Sequence, residues 1–425
     1  MNCSALSLCK WTFFSFLLLL INFPIFSQWT PQVSGTDYDL YSVYFLNTTT
    51  GFLSSSRPII PPGPYGGEII KTTNGGNNWY RVLFDTTFRV KGIRFINNNT
   101  GFAVGGYYAD EGYIYKTTDG GENWNKINLP FFPYFFNIVF PNSSTGYAAG
   151  TFGVIKTTDA GTNWTGILNV QVLIPYWGKV FFNDVNTGFF IRDTAGFYKT
   201  VNGGINWQFI SLPSAEFLRD LKFIDENTGY IVGDSSTLLK TTNQGNNWFT
   251  LNPGINQNLY SVSFADLNTG YLTAEHTVLK TTNAGNSWFS VFSFPADTLF
   301  SSFFLNENTG YICGDEGRVY KTTTGGVIGI KPISSEIPNE FSLYQNYPNP
   351  FNPATNIKFA IAKATDVKLS VYDALGREVE TLVNEFISSG IYEVHWDAVR
   401  FSSGIYFYKI LTNEFTSVKK MTLIK

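Results

Sequence analysis

Residues 221–248 read LKFIDENTGYIVGDSSTLLKTTNQGNNW. Short apolar runs separated by turns rich in Gly and Asn are typical of β-strands joined by hairpins. The segment predicts strands over residues 221–224, 230–233 and 237–240, and a fourth strand that begins near Trp248. It therefore describes one small antiparallel sheet of four strands.

The same pattern recurs along about 300 of the 425 residues. In each copy a Gly follows a Phe at the sixth position, and a Lys-Thr pair follows that Gly before the next copy begins, as Lys71 and Thr72 follow Gly51. The glycines are Gly51, Gly101, Gly146, Gly188, Gly229, Gly270 and Gly310, and the phenylalanines are Phe45, Phe95, Phe140, Phe182, Phe223, Phe264 and Phe304. The copies recur at about 40 to 50 residues, which is the spacing of four-stranded propeller blades. Seven copies predict an all-β fold with a seven-bladed β-propeller.

A second motif lies between the predicted third and fourth strands and ends in Trp. It reads TTNGGNNW at residues 72–79. Further copies end at Trp124, Trp164, Trp207, Trp248 and Trp288. Asn or Asp at the third position caps the turn backbone, and Gly at the fifth accepts a positive φ. We expect the Trp to fill the space between neighbouring sheets.

This motif resembles the Asp-box, [Ser/Thr]-x-Asp-x-Gly-x-x-Trp, and Asp119 and Asp159 match it fully. The whole unit, over roughly residues 28–330, is similar to the BNR-like repeats of the plant and cyanobacterial photosystem II assembly factor family. The resemblance implies a propeller but does not specify a partner. Asp-boxes also occur in sialidases and in xyloglucan-cleaving glycosidases, so the motif identifies blades rather than chemistry.

The two ends of the repeat array complement each other. In the seventh copy Thr324 replaces the Asn or Asp, and Gly329 stands where the Trp is due. Trp29 precedes Gly51 by the same separation that joins Trp79 to Gly101. We therefore predict that residues 29–33 form the outer strand of the last blade, so that the ring has no unpaired seam.

The start of the chain, residues 1–27, predicts a secretory signal peptide. Lys10 precedes a short apolar run from Trp11 to Phe26, and Ser27 suits a cleavage site. The alternative is a retained N-terminal anchor, although the run is too short and too interrupted to predict a stable membrane span. After cleavage Cys313 is the only cysteine, which excludes an intramolecular disulfide.

The composition changes after the repeats. Residues 28–326 form the predicted propeller, residues 327–340 a linker, and residues 341–425 a small β-sandwich whose alternating strands include 367–373, 392–397 and 404–409.

Residues 341–425 resemble the type A C-terminal sorting domain of the type IX secretion system of Bacteroidetes-like bacteria. The motifs that carry the resemblance are LGREV at residues 375–379, SGIY at 403–406 and KKMTLIK at 419–425. The resemblance implies handling by the type IX secretion machinery and a location outside the cell or on its outer surface. The alternative is a generic adhesive sandwich.

Ligand binding is expected on the face of the ring that carries the connections after the second and fourth strands. These connections vary in length and sequence, and variable loops on a rigid scaffold are common binding sites. Their aromatic residues are the candidate ligand-binding side chains for stacking on sugars or anchoring a protein. They are Tyr65, Tyr107, Tyr108, Phe132, Tyr134, Tyr176 and Trp177. The alternative is that several of them are core residues of adjoining strands.

The central channel is predicted to have a mixed lining. Alternation on the first strands directs seven pairs of side chains into it: Ser42 and Tyr44, Gly92 and Arg94, Asn137 and Val139, Lys179 and Phe181, Asp220 and Lys222, Ser261 and Ser263, and Ser301 and Phe303. This set contains no cluster typical of a metal site, and no metal or other cofactor is predicted. A net charge of −3 gives no general attraction to nucleic acid.

We therefore expect a secreted or cell-surface binding propeller without catalytic activity that recognises an unknown protein or glycan. The alternative is a secreted glycoside hydrolase. It would use carboxylates that recur after the second strands, namely Asp193, Asp234, Glu275 and Asp315. Such residues more often lie in solvated turns.

Overall fold

A computed structural model describes residues 29–56, 66–86, 88–107, 111–127, 129, 134–170, 178–192, 196–212, 217–293, 297–326, 330–334, 338–387, 389–399 and 401–425. Within these ranges the backbone forms nine four-stranded antiparallel sheets. Seven of them are the predicted repeats, and the first strands of successive sheets contact one another in a closed ring. The repeats thus form the seven blades of a propeller, with each first strand innermost.

The strands of the first three blades agree with the repeat pattern. Blade one contains Asp39–Phe45, Gly51–Ser56, Gly67–Thr72 and Tyr80–Asp85. Blade two contains Arg89–Phe95, Gly101–Tyr107, Glu111–Thr117 and Asn125–Ile127. Blade three contains Phe135–Val139, Gly146–Gly150, Gly153–Thr157 and Thr165–Asn169.

The next three blades repeat the arrangement. Blade four contains Gly178–Phe182, Gly188–Arg192, Gly196–Thr200 and Gln208–Ser211. Blade five contains Leu218–Phe223, Gly229–Gly233, Leu238–Thr241 and Phe249–Thr250. Blade six contains Leu259–Phe264, Gly270–Ala274, Thr277–Thr281 and Phe289–Ser293.

Blade seven is shared between the two ends of the propeller. Its inner strands are Leu299–Phe304, Gly310–Gly314 and Arg318–Thr322, with a short 3-10 helix at Asp315–Gly317. The outer strand is Thr30–Val33, which pairs with Arg318–Thr322. Trp29 is fully buried and meets the ring of Phe304 edge-on at 5.9 Å between centroids. The predicted closure of the ring is therefore present.

The spacing of Phe and Gly has a steric cause. Each repeat Phe lies opposite its Gly in the paired strand, as Phe45 does opposite Gly51. A Cβ atom built on Gly51 would lie 2.5 Å from that ring, and the corresponding distance at Gly310 is 2.2 Å. Any side chain at these positions would displace the Phe, which explains why Gly recurs.

Each Phe also joins its blade to the preceding one. The aromatic residue after the repeat Gly of the preceding blade stacks on it, with centroids 3.5 Å apart for Tyr271 and Phe304 and 4.8 Å apart for Tyr230 and Phe264. The seven pairs are Phe52–Phe95, Phe102–Phe140, Tyr147–Phe182, Phe189–Phe223, Tyr230–Phe264, Tyr271–Phe304 and Tyr311–Phe45. The motif Trp of the second blade of each pair meets the Phe edge-on, and the predicted structural tryptophans therefore do pack between sheets. The seven contacts involve Trp29, Trp79, Trp124, Trp164, Trp207, Trp248 and Trp288.

The recurring Lys completes this interface. Lys240 extends over the ring of Tyr230, and its Nζ donates a hydrogen bond of 2.7 Å to the carbonyl of Ala284 in the motif turn of the next blade. Lys321 donates in the same way to the carbonyl of Gly75, across the closure. All seven of these lysines lie 5.4 to 5.7 Å above their aromatic ring. The Lys-Thr pair is thus part of the blade interface.

Four of the seven stacked aromatics are tyrosines, and this predicts a loss of stability at alkaline pH. Burial raises the pKa of Tyr147 and of Tyr311 to about 12 from the ordinary value of 10.0. The unfolded chain releases these protons near pH 10, whereas the folded chain holds them longer. Their contribution to the free energy of unfolding is therefore complete below pH 10 and is lost as the pH rises towards 12.

We expect the double variant Tyr147→Phe/Tyr311→Phe to lose stability less steeply above pH 10. Phe already occupies the equivalent place in three blades, so the stacking is retained. Tyr311 donates a hydrogen bond of 2.9 Å to the Gly75 carbonyl, and loss of such a bond costs about 1 kcal/mol at neutral pH. Urea unfolding at a series of pH values measures both effects, and an unchanged slope above pH 10 would contradict the assignment.

The C-terminal part forms a two-sheet sandwich, as the sequence predicts. One sheet contains, in spatial order, Ile330–Ser334, Gly390–Asp397, Ala354–Ile361 and Ser342–Leu343. The other contains Glu378–Ile387, Thr365–Tyr372, Gly404–Leu411 and Thr416–Leu423. Trp396, Tyr408 and Met421 are among the fully buried residues of its core.

One strand lies in the range that the sequence assigned to a linker. Ile330–Ser334 pairs with Gly390–Asp397 at the edge of its sheet. The expected linker is therefore partly a strand. The strand contains Pro332, which an edge strand tolerates because one side of it needs no ladder hydrogen bonds.

Candidate functional site

One face of the propeller carries the variable connections. In blade one Asp39 pairs with Ser56, Ser56 with Gly67, and Gly67 with Asp85. The start of the first strand therefore lies at the same edge as the connections that follow the second and fourth strands. We call this side the variable face and the opposite side the constant face.

A β-bulge occurs near the start of the first strand in six of the seven blades. The ladder register shifts by one residue there, and the extra residue leaves the strand alternation. Blade four has no shift and carries Gly178 at this place. The bulged residues, which we call the collar, are Tyr41, Lys91, Phe136, Arg219, Tyr260 and Phe300. Bulges re-aim side chains and are common beside functional sites.

The collar residues contact one another around the channel. The guanidinium of Arg219 lies 4.7 Å from the ring centroid of Tyr260, which meets Phe300 at 5.6 Å. Phe300 in turn stacks on Tyr41 at 5.2 Å. The ammonium of Lys91 lies over the ring of Tyr41, 2.8 Å from its centroid. Five blades thus contribute to one continuous aromatic and cationic surface on the variable face.

Burial shifts the pKa values of two collar residues, Lys91 and Tyr41. Burial lowers the pKa of Lys91 far below its usual range, Arg89 lowers it further, and Asp39 opposes the shift. Burial also raises the pKa of Tyr41, whose hydroxyl donates to Asp39 at 3.2 Å. Arg219 forms a two-point ion pair with Asp234. The collar is therefore held in place by charge as well as by ring stacking.

The channel continues below the collar. A cavity of about 250 Å³ is lined by Tyr41, Lys91 and Phe136 of the collar and by most of the predicted channel residues. Lys179 pairs with Asp220 at 2.9 Å, and the side-chain amide of Asn137 exchanges two hydrogen bonds of 2.8 Å with the backbone of Val180. The predicted inward alternation is thus observed along these strands.

Most of the predicted ligand-binding aromatics fall outside the described residues. This applies to Tyr65, Tyr108, Phe132, Tyr176 and Trp177. Tyr107 is the last residue of a blade-two strand, and its side chain is likewise not described. Tyr134 is described and is buried, and its ring packs on the collar residue Phe136 at 4.8 Å. Tyr134 therefore packs against the collar as a buried residue.

The carboxylates that recur after the second strands have local partners where the structure describes them. Asp234 binds Arg219, and Glu275 accepts a hydrogen bond of 2.7 Å from the amide of Asn258. Asp315 binds Arg318 at 2.7 Å. Asp193 lies outside the described ranges. Within those ranges no group of three or more His, Cys, Asp or Glu residues is arranged to hold a metal ion.

Sequence reasoning did not identify the collar, although a signal for it exists. The residue ten positions before each repeat Gly is aromatic or basic in six blades. The channel lining was predicted by taking alternate positions along each first strand. This residue falls outside that set when the alternation is uninterrupted. The bulge takes this residue out of the alternation, and three of the six, Tyr41, Lys91 and Phe136, line the channel cavity.

Among the described residues, the structure contains no helix with the length and hydrophobicity that crossing a bilayer requires.

Comparisons with known proteins support both parts of the chain. The family model described as Photosynthesis system II assembly factor YCF48 matches residues 70–211 and 199–326. The model described as Secretion system C-terminal sorting domain matches residues 345–425. No curated protein matches the chain by sequence.

Several solved structures share the fold. YCF48 bound to a D1 peptide has a TM-score of 0.58 and 18% identity over 70% of this chain and 98% of the other. YCF48 from Cyanidioschyzon merolae has a TM-score of 0.58 and 17% identity over 69% and 98%. PorZ, a surface component of the type IX secretion system of Porphyromonas gingivalis, has a TM-score of 0.51 and 12% identity over 92% and 60%.

These identities show a common fold and leave the ligand open. The repeat model, however, matches more than half of the chain. The protein therefore belongs to the Photosynthesis system II assembly factor YCF48 family, and its sorting domain marks it as exported by the type IX secretion system to the cell surface or the extracellular space.

Proposed function

We propose that the propeller is a non-catalytic binding module that holds a protein or glycan outside the cell. The observation that carries this proposal is the collar. Six blades interrupt a regular strand pairing at the same place, and the residue at each interruption is aromatic or basic. Three of these residues, Tyr41, Lys91 and Phe136, line the channel cavity. Packing alone gives no reason for six such interruptions at one end of the channel.

The chemistry of the collar suits recognition. Tyr41, Tyr260 and Phe300 are half-buried, so each keeps some surface accessible to solvent. Aromatic rings of this kind stack on sugar faces or anchor apolar side chains of a protein. Arg219 adds a fixed positive charge beside them. The loop residues predicted from the sequence, Tyr65 and Trp177 among them, lie outside the described residues, and we propose that they extend this surface.

Two solved relatives are consistent with this class of function. The YCF48 structure contains a bound D1 peptide, so a propeller of this fold can hold a peptide. PorZ is a surface component of a secretion system. We transfer from them only the general role of binding, because the sequence identities are low. The glycoside hydrolase alternative gains no support from Asp234, Glu275 or Asp315, which are engaged by local partners.

A glycan array, a panel of immobilised outer-surface proteins and a panel of glycosidase substrates test the proposal on the purified mature protein. We expect retention of a ligand and no turnover of any substrate. Tyr260→Ala should weaken binding by roughly 30-fold, the effect of losing a contact of about 2 kcal/mol. Turnover that disappears in Asp234→Asn would favour the hydrolase instead.

Phe249→Ala is the matched control. Phe249 is 46% exposed on the outer strand of blade five, far along the sheet from the channel. Its removal should leave binding unchanged. Equal losses in Phe249→Ala and Tyr260→Ala would count against the collar as the site.

A further inference from the structure

The end of the channel nearest the constant face has a composition of its own. It is formed by the residue that precedes each repeat Phe, and we call this set the lower ring. Its members are Tyr44, Arg94, Val139, Phe181, Lys222, Ser263 and Phe303. Two of them are cations, and none is a carboxylate.

The two cations lie over aromatic rings and line the same cavity. The guanidinium of Arg94 is 5.3 Å from the ring centroid of Tyr44, and Nζ of Lys222 is 5.6 Å from that of Phe181. Both residues line the channel cavity of about 250 Å³. Across the described parts of the chain, neither forms an ion pair with a carboxylate. The cations are thus held in place without a neutralising partner in direct contact.

The carboxylate that attracts Lys222, Asp220, is already engaged. Asp220 binds Lys179 at 2.9 Å and accepts hydrogen bonds from the backbone amides of Leu221 at 3.0 Å and Val262 at 3.1 Å. It attracts Lys222 only through space. Asp220 therefore serves to fix the inner strands and leaves the lower ring with a net positive charge.

This arrangement is unfavourable without a ligand. Lys222 is half-buried and Arg94 is exposed. Burial, and after it the charge of Arg94, lowers the pKa of the Lys222 ammonium group. Like charges brought together in a narrow, partly desolvated channel repel each other. A cation whose pKa is lowered in a cleft, as that of Lys222 is, is a recognised mark of a functional site.

We propose that the lower ring binds a small anion bearing carboxylate or phosphate, held between Arg94 and Lys222. This site is separate from the collar and does not depend on which macromolecule the collar holds. The cavity has room for several water molecules of about 30 Å³ each, which suits an anion of the size of phosphate or citrate. A charge-assisted hydrogen bond from each cation would offset their repulsion.

Thermal unfolding and calorimetric titration of the mature protein test this site. The probes are inorganic phosphate and citrate, each compared with sodium chloride at equal ionic strength. We expect one of the two to raise the melting temperature of the natural protein beyond the chloride control. Phosphate alone would indicate a phosphate ligand, and citrate alone a carboxylate ligand.

Two variants and one control separate binding from stability. Lys222→Met and Arg94→Gln should each weaken anion binding at least tenfold. Lys222→Met should also leave the anion-free protein as stable as before or more stable, because a buried charge is removed. Lys126→Met, on the exposed outer strand of blade two, should change neither property.

Three results would overturn the proposal. The first is that neither anion stabilises the natural protein beyond the chloride control. The second is that both channel variants bind the anion as tightly as the natural protein, and the third is that Lys126→Met loses as much anion affinity as the channel variants. If Lys222→Met fails to fold, Arg94→Gln still decides the question.

Discussion

Deletion of residues 28–35 is expected to lower the melting temperature of the propeller by roughly 10 °C or more. Truncating a buried Trp costs about 3–5 kcal/mol of stability. Each kcal/mol shifts the melting temperature of a large domain by about 2–4 °C. The deletion removes the outer strand of blade seven and with it the pairing to Arg318–Thr322. It also removes Trp29, which is fully buried against Phe304. The loss of the strand adds to the loss of the Trp.

Single variants divide this effect into its parts. Trp29→Ala should give a large share of the loss, whereas Val33→Ser should be nearly neutral because Val33 is 84% exposed. Differential scanning calorimetry of the mature protein measures all three forms. A deletion that melts at the temperature of the natural protein would show that the strand does not stabilise the ring.

Deletion of residues 341–425 is expected to abolish release of the protein from the cell. The sorting domain has a core of its own, in which Trp396 packs on Phe351 and Tyr406 and donates a hydrogen bond of 2.9 Å to Glu380. Without the domain the secretion machinery has no signal to recognise, so the propeller should accumulate inside the cell. Immunoblots of the cell fractions and the medium measure its distribution.

Point variants show whether the folded domain is required. Trp396→Ala should also reduce export, since the large cavity destabilises the sandwich, while the propeller keeps its melting temperature. Lys363→Gln is the control, because Lys363 lies on the surface in an exposed pair with Glu414. Normal export of the truncated protein would refute the role of the domain.

The architecture was predictable because its determinants are local in sequence. Each repeat Phe packs against the Gly six positions after it, so the same spacing recurs in every blade. The position of Trp29 indicated where the propeller closes. The function of the Lys in the Lys-Thr pair was not predictable in this way. Its partner is a carbonyl in the next blade, as Lys240 and Ala284 illustrate, and a sequence pattern within one blade does not contain it.

The candidate site was predictable only in part. Variable loops pointed to the same face of the ring, and alternation gave the channel lining. The collar depends on β-bulges, and a bulge moves one residue out of the alternation on which the prediction rests. Tyr41 and Tyr260 therefore come together at the channel mouth although neither was a predicted site residue. The positive charges of Arg94 and Lys222, unpaired among the described residues, were not predictable either, because their proximity depends on which blades face each other across the channel.

Hydrogen exchange measured by mass spectrometry, with and without the retained protein or glycan, tests the binding site most directly. We expect slower exchange at the starts of the first strands, over residues 39–44, 88–93, 217–221, 259–263 and 299–303, and in the neighbouring connections of the variable face. Protection confined to the outer strands or to the turns of the constant face would contradict it.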